Sequence, residues 1–146
     1  MSGLISGASL REEEASALCE EFIAREGRAR KRVLAIIPDH TRTAPMGIFF
    51  RTLYRLFAGG PGRVDFLIAL GTHPPMTEDA IARRLELAPG ESLRDFPRAS
   101  VFNHQWDNPA QLRAAGTIPA SRVAEISRGR MNDAVTVTVN RLVYEY

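Results

Sequence analysis

Two runs, the uniformly apolar 33-VLAII-37 and the largely apolar 64-VDFLIAL-70, constrain this chain more than any other feature, because each gives way to a polar loop and then to helical spacing. A run that is apolar at successive positions predicts a strand buried on both faces, the condition of a parallel sheet covered by crossover helices. Behind the first run, 45-PMGIFFRTLYRLF-57 has helical periodicity, with a proline suited to a first turn. The stretch 59-GGPG-62 predicts a turn before the second run, and Thr77 is placed to cap a helix reaching about Leu85. Strand and helix alternate twice, which argues for right-handed β-α-β crossovers. The expected class is α/β, a Rossmann-like open, mainly parallel sheet flanked by helices, in one domain over residues 1–146.

The flanks are read from weaker signals. Ser9 and Glu12 have capping-box spacing, and Leu10, Ala15, Leu18, Phe22 and Ile23 recur at helical intervals, so a helix is expected from Ser9 to Glu26, closed by Gly27. Cys19 falls on the apolar side of that helix and is expected to be packed and inert. Further on, 99-ASVF-102 predicts a short strand and 109-PAQLRAAG-116 a short helix. The alternation in 134-AVTVTVNRLVYEY-146 predicts a strand, or a strand pair with Asn140-Arg141 at its middle.

Bulk properties exclude several classes of function. At 146 residues, 45% hydrophobic and 25% charged, the chain has the composition of a globular domain, and no run approaches the roughly 18 apolar residues of a membrane span. No export signal is recognisable at the N-terminus, so a cytoplasmic location is expected, with no membrane partner. The net charge is only +2, and the basic run 28-RARKR-32 reads as a solvated strand entry, so no nucleic-acid partner is expected either. Of the 19 basic residues all but Lys31 are arginine, which leaves lysine-dependent chemistry one poor candidate.

In open α/β sheets, ligands collect at the carboxyl ends of the strands, where loops and helix N-termini converge. Both polar clusters fall there: 38-PDHTR-42 after the first strand and 71-GTH-73 after the second. Asp39, Thr41, Arg42, Thr72 and His73 are therefore expected to line one crevice. Arg42 offers a fork for a carboxylate or phosphate, although pairing with Asp39 is an alternative. His73 is the best-placed general acid or base, though a loop histidine with one satisfied nitrogen is the plainer reading. Asp39 and Thr41 also suit a helix cap. His40 is expected on the other side of its loop, and His104 in a structural role. There is no Gly-rich phosphate loop, no nucleophile elbow and no His-Glu-x-x-His. Three scattered histidines and one cysteine make no metal cage, so no metal ligand is expected within the chain.

The segments 38-PDHTRTAP-45 and 69-ALGTHPPMTEDAI-81 resemble the paired Asp-x-Thr-Arg and Gly-Thr-His signatures of the nickel-dependent lactate racemase family, in its N-terminal domain. The segments 103-NHQWDNPAQLRAAG-116 and 137-VTVNRLVYEY-146 resemble that family's Asn-His and Asn-Arg segments. The resemblance implies the N-terminal domain of a longer two-domain enzyme, with its C-terminal domain as partner across a cleft. It implies a racemase or epimerase of small 2-hydroxy acids that works by reversible hydride transfer to a nickel pincer nucleotide. His73 then matches a catalytic histidine, Arg42 a residue that binds the substrate carboxylate, and Asp39, Thr41 and Thr72 positions near the cofactor. The attachment lysine and the nickel ligand match nothing in this chain, so these 146 residues alone are expected to be inactive. Many members carry proline directly after the arginine, where this chain has 42-RTAP-45. A family member acting on another 2-hydroxy or sugar acid, or a non-catalytic module binding a small anion or nucleotide, are the alternatives.

Overall fold

The computed structural model describes residues 11–25, 32–58 and 62–146. The expectations for Ser9, for most of 28-RARKR-32 including Lys31, and for most of the 59–62 turn lie outside these residues. In chain order the elements are α1 (Glu12–Arg25), β1 (Arg32–Pro38), α2 (Met46–Ala58), β2 (Arg63–Ala69), α3 (Glu78–Arg84), β3 (Ala99–Asn103), β4 (Leu112–Ile118), α4 (Ala120–Ser127) and β5 (Val135–Asn140). Strands β1, β2 and β3 form a parallel sheet in that order, with Ile37 opposite Ile68 and Ile68 opposite Asn103. Strands β4 and β5 form a separate antiparallel pair.

The core lies where α2 and α3 cover one face of the parallel sheet. Phe50 is fully buried, its ring centroid 5.1 Å from that of Phe66 on β2 and 4.8 Å from that of Phe96. Phe57, Val64, Ile68, Ile81 and Leu85 complete this layer, each apolar side chain contributing roughly 1.5–3 kcal/mol by leaving water. Strand β2 fits its reading as a central, buried strand. Strand β1 does not: Ile36 is 61% exposed, because β1 is the outer strand of the sheet and α2 packs on the opposite face, the one carrying Ile37.

Asp65 interrupts the apolar run of β2, and its burial demands partners. It accepts from the Ser100 backbone N–H at 2.6 Å, from Arg63 Nε at 2.7 Å and from the Tyr146 hydroxyl, which ties the last residue of the chain to the sheet.

The structure corrects or sharpens the flanking readings at four places. The helix expected over 109–116 is confined to one 3₁₀ turn at Pro109–Gln111, after which the chain enters β4; pairing with β5 overrides the helical preference of its alanines. Helix α4 was not foreseen. The alternating C-terminal segment is one strand, ending at Asn140, where the side chain accepts from Leu142 N–H and starts a 3₁₀ turn. Finally, α1 buries no residue fully: Cys19 is only half-buried beside exposed Leu18 and Phe22, and that burial pushes its thiol pKa up.

Candidate functional site

The crevice forms because β1 and β2 end side by side, Pro38 opposite Ala69, and each strand then turns out of the sheet. After β1, Asp39 turns the chain with its own side chain: Oδ1 accepts from Thr41 N–H at 3.1 Å and from the Thr41 hydroxyl at 2.6 Å. After β2, Gly71 adopts φ +59, a left-handed conformation that costs other residues strain, and the turn closes with His73 N–H on the Leu70 carbonyl at 3.0 Å. From there Thr77 caps α3 through Ala80 N–H, and Asn103 at the end of β3 holds Met76 by both its N–H and its carbonyl, each at 3.0 Å.

These turns bring Asp39, Thr41, Arg42, Thr72 and His73 around one open cavity of about 500 Å³, the grouping expected from the strand ends. Asp39 is 3% exposed, and its Oδ2 lies 2.6 Å from His73 Nδ1. Hydrogen bonds from Thr41 and from His73 hold the Asp39 carboxyl at a pKa of about 2, below its ordinary 3.8 despite burial. An ionised carboxylate only accepts, so the proton of the shared bond resides on Nδ1, and in the neutral form of the ring the lone pair is left on Nε2. The His73 side chain is 50% exposed at the cavity. This is a carboxylate–histidine pair with an oriented imidazole.

Arg42 does not pair with Asp39; among the described residues its guanidinium has no hydrogen bond or ion pair, and it is exposed at the same cavity. An arginine fork beside an oriented imidazole suits a carboxylate whose neighbouring carbon bears an ionisable group. Thr72 is exposed and lines the cavity too. His40 faces away, against Met76, Ala80 and Arg83. His104 follows β3 at the same sheet edge, its Nδ1 3.2 Å from the Asn140 amide, without lining the cavity. A second cavity of about 560 Å³, between Phe22, Ile36 and Tyr146, holds no acid–base pair, so size alone does not mark the site.

Sequence reasoning placed Asn103 in the segment that resembles the family's Asn-His segment but gave it no role, and it missed Arg84, which reaches the loop after β1 from α3. Among the described residues no three His, Cys, Asp or Glu side chains group as metal ligands, and no helix is long and apolar enough to cross a membrane.

A crystal structure of a protein from Thermotoga maritima resembles this fold with a TM-score of 0.79 and 28% sequence identity, over 95% of this chain and 32% of that one. The present chain thus spans less than two thirds of that relative's length. No curated protein sequence matches. Residues 10–146 match the family described as the lactate racemase N-terminal domain, and the chain belongs to that family.

Proposed function

We propose that this chain is the N-terminal domain of a racemase or epimerase of a small 2-hydroxy acid, and that it supplies the proton-transferring and carboxylate-holding side of the site. Arg42 binds the substrate carboxylate through its fork. His73 Nε2, one of the two catalytic histidines that the family resemblance implies, takes the hydroxyl proton of one enantiomer and returns it when that enantiomer is re-formed. Asp39 keeps the Nδ1 proton in place, which fixes the tautomer and orients the ring. The observation that carries this reading is the 2.6 Å bond between Asp39 and His73 beside an uncommitted Arg42. A module that only binds anions needs Arg42 but has no use for an oriented imidazole. Arg42 reads any 2-hydroxy or sugar acid by its carboxylate, so the choice among them belongs to other contacts.

The nickel pincer nucleotide implied by the family fits this donor set in part. Thr41 gives its hydroxyl proton to Asp39 and keeps its oxygen as an acceptor, and Thr72 is exposed beside it, so both suit polar groups of a nucleotide. The crevice has no cluster of nickel ligands among the described residues, so in this reading the metal and its covalent attachment belong to other parts of the full-length protein. When bound, the cofactor supplies the hydride acceptor.

The test is kinetics of the cofactor-loaded, full-length protein, run separately from each enantiomer. Replacing His73 with alanine is expected to lower kcat by about 10²–10⁴-fold, the usual contribution of a positioned acid or base. Because the overall equilibrium is fixed, the loss in one direction appears in the other. Near wild-type racemisation from both enantiomers would refute the assignment.

A further inference from the structure

Arg84 belongs to neither polar cluster, yet it reaches both ends of the loop that carries Asp39, Thr41 and Arg42. It stands at the last residue of α3. Its Nε donates to the Pro38 carbonyl at 3.2 Å and its Nη1 to the Ala44 carbonyl at 3.4 Å. The first carbonyl closes β1 and the second precedes α2, so one guanidinium spans the base of the loop. Its remaining amine, Nη2, is buried and has no hydrogen-bond partner among the described residues. Solvent does not reach that atom, so a ligand in the crevice does not either, and the side chain acts within the protein. The same end of α3 meets the start of α2 at Gly47, which Glu86 abuts.

Beyond its own turn, the Met46 N–H on the Ala44 carbonyl and the sheet pairing of Pro38, the 38–44 loop receives hydrogen bonds from only His73 and Arg84 among the described residues. Both donors come from the second strand–helix unit. One grips the loop at Asp39, inside the site, and the other at the loop's base.

We propose that Arg84 is a positioning residue: by bridging the Pro38 and Ala44 carbonyls it holds the loop so that Asp39 stays on His73 and Arg42 stays beside them. The inference rests on reading Asp39, Arg42 and His73 as one site. A lysine here keeps the charge but, with a single ammonium, lacks the rigid fork that serves two carbonyls at once. Without the bridge the Asp39–His73 bond is the loop's one remaining side-chain tie to the second strand–helix unit among the described residues, and the carboxylate anchor moves relative to the base.

The test has a readout that does not depend on catalysis. In the 146-residue chain, long-range ¹H–¹⁵N spectra report the His73 tautomer and the exchange of its Nδ1 proton. Arg84→Met keeps the apolar stem and removes the fork, and Arg84→Lys keeps the charge. With the amide signals of β2 and α3 unchanged, both variants are expected to speed exchange of the Nδ1 proton by about fivefold, the factor that one lost hydrogen bond is worth. In the loaded full-length enzyme both should raise KM and lower kcat, together costing about 10²-fold in kcat/KM, as small misplacements of reacting groups do. Wild-type Nδ1 exchange in both variants, or full restoration by lysine, would overturn the proposal. If Arg84→Met fails to fold, the lysine variant carries the same test. Faster exchange together with a His73→Ala enzyme of near wild-type rate would refute the proposed function and leave the brace standing.

Discussion

Asp39 and Arg42 sit three positions apart on one loop, yet the structure gives them opposite environments. Asp39 is enclosed by donors, and its pKa of about 2 against an ordinary 3.8 makes it a source of stability with a defined pH window. A carboxylate with a depressed folded-state pKa stabilises fully above the unfolded value and loses that contribution as pH falls through 3.8 toward 2. Asp39→Asn is therefore expected to destabilise the chain at pH 6, with the gap to wild type closing between about pH 4 and pH 2 as the native carboxylate is protonated. Urea midpoints of both proteins across that range measure it, and a constant gap would show that Asp39 carries no native-state ionic role. Arg42, by contrast, has no side-chain partner to lose among the described residues. Arg42→Lys should leave the unfolding free energy from urea titration within about 0.5 kcal/mol of wild type while raising KM in the full-length enzyme, because the charge survives and the bidentate geometry does not. An unchanged KM would move the carboxylate anchor to another residue.

At the level of elements, α3 positions the loop after β1 as well as the loop that precedes it, and this depends on how closely it approaches α2. A Cβ on Gly47 would lie 2.7 Å from the Glu86 Cβ and 2.6 Å from its Oε2. The first of these atoms is fixed to the backbone and cannot swing away. Glu86 itself has φ +53, a conformation costly for a side chain with a Cβ. Gly47→Ala raises helix propensity by about 1 kcal/mol but is expected to destabilise the protein by roughly 1–3 kcal/mol through this overlap. Glu86→Gly removes the obstruction and relieves the positive φ, so the double variant should recover most of the loss, a coupling that urea titration of all four proteins resolves. Additive effects would place the strain elsewhere. None of this was legible from sequence, since Gly47 lies near the start of a helical pattern and Glu86 looks like an ordinary solvated glutamate. The strands and helices that frame the site were legible, because apolar runs and an N-cap threonine are local signals. The 109–116 segment misled for the same reason: its alanines state a local preference, and the partner that overrides it, β5, pairs Leu112 with Asn140 far along the chain. Within the site, the strand-end rule put five residues at one crevice, but which of them would bond to Asp39 depended on the two loops' relative positions and on Arg84.

For the whole molecule, the division into a parallel sheet and a separate antiparallel strand pair predicts unequal stability. β2 is flanked by a strand on each side and by helices on one face, with Val64, Phe66, Leu67 and Ile68 buried. β4 and β5 pair only with each other, and Arg113 through Thr117 and Val135 through Thr138 are exposed. A two-stranded pair without a covered face is marginal in water. What anchors it here is at its base: Asn140 against His104, Arg141 Nη1 on the Ala110 carbonyl at 3.4 Å, and Tyr146 on Asp65. Opening the β4–β5 pair therefore breaks few apolar contacts, whereas opening β2 unfolds the core and, with it, the ends that carry His73. Native-state hydrogen exchange should show β4 and β5 amides exchanging at least about 10²-fold faster than those of β2, through a local opening whose denaturant dependence is small. The same measurement on Tyr146→Phe, which removes the hydroxyl from Asp65, should speed exchange at β5 further and leave β1 and β2 close to their wild-type rates, because Asp65 keeps Ser100 N–H and Arg63 as donors. Equal protection across the two sheets would mean that the β4–β5 pair and the core unfold as one unit, and that the site is held by the whole chain rather than by the parallel sheet and its two loops.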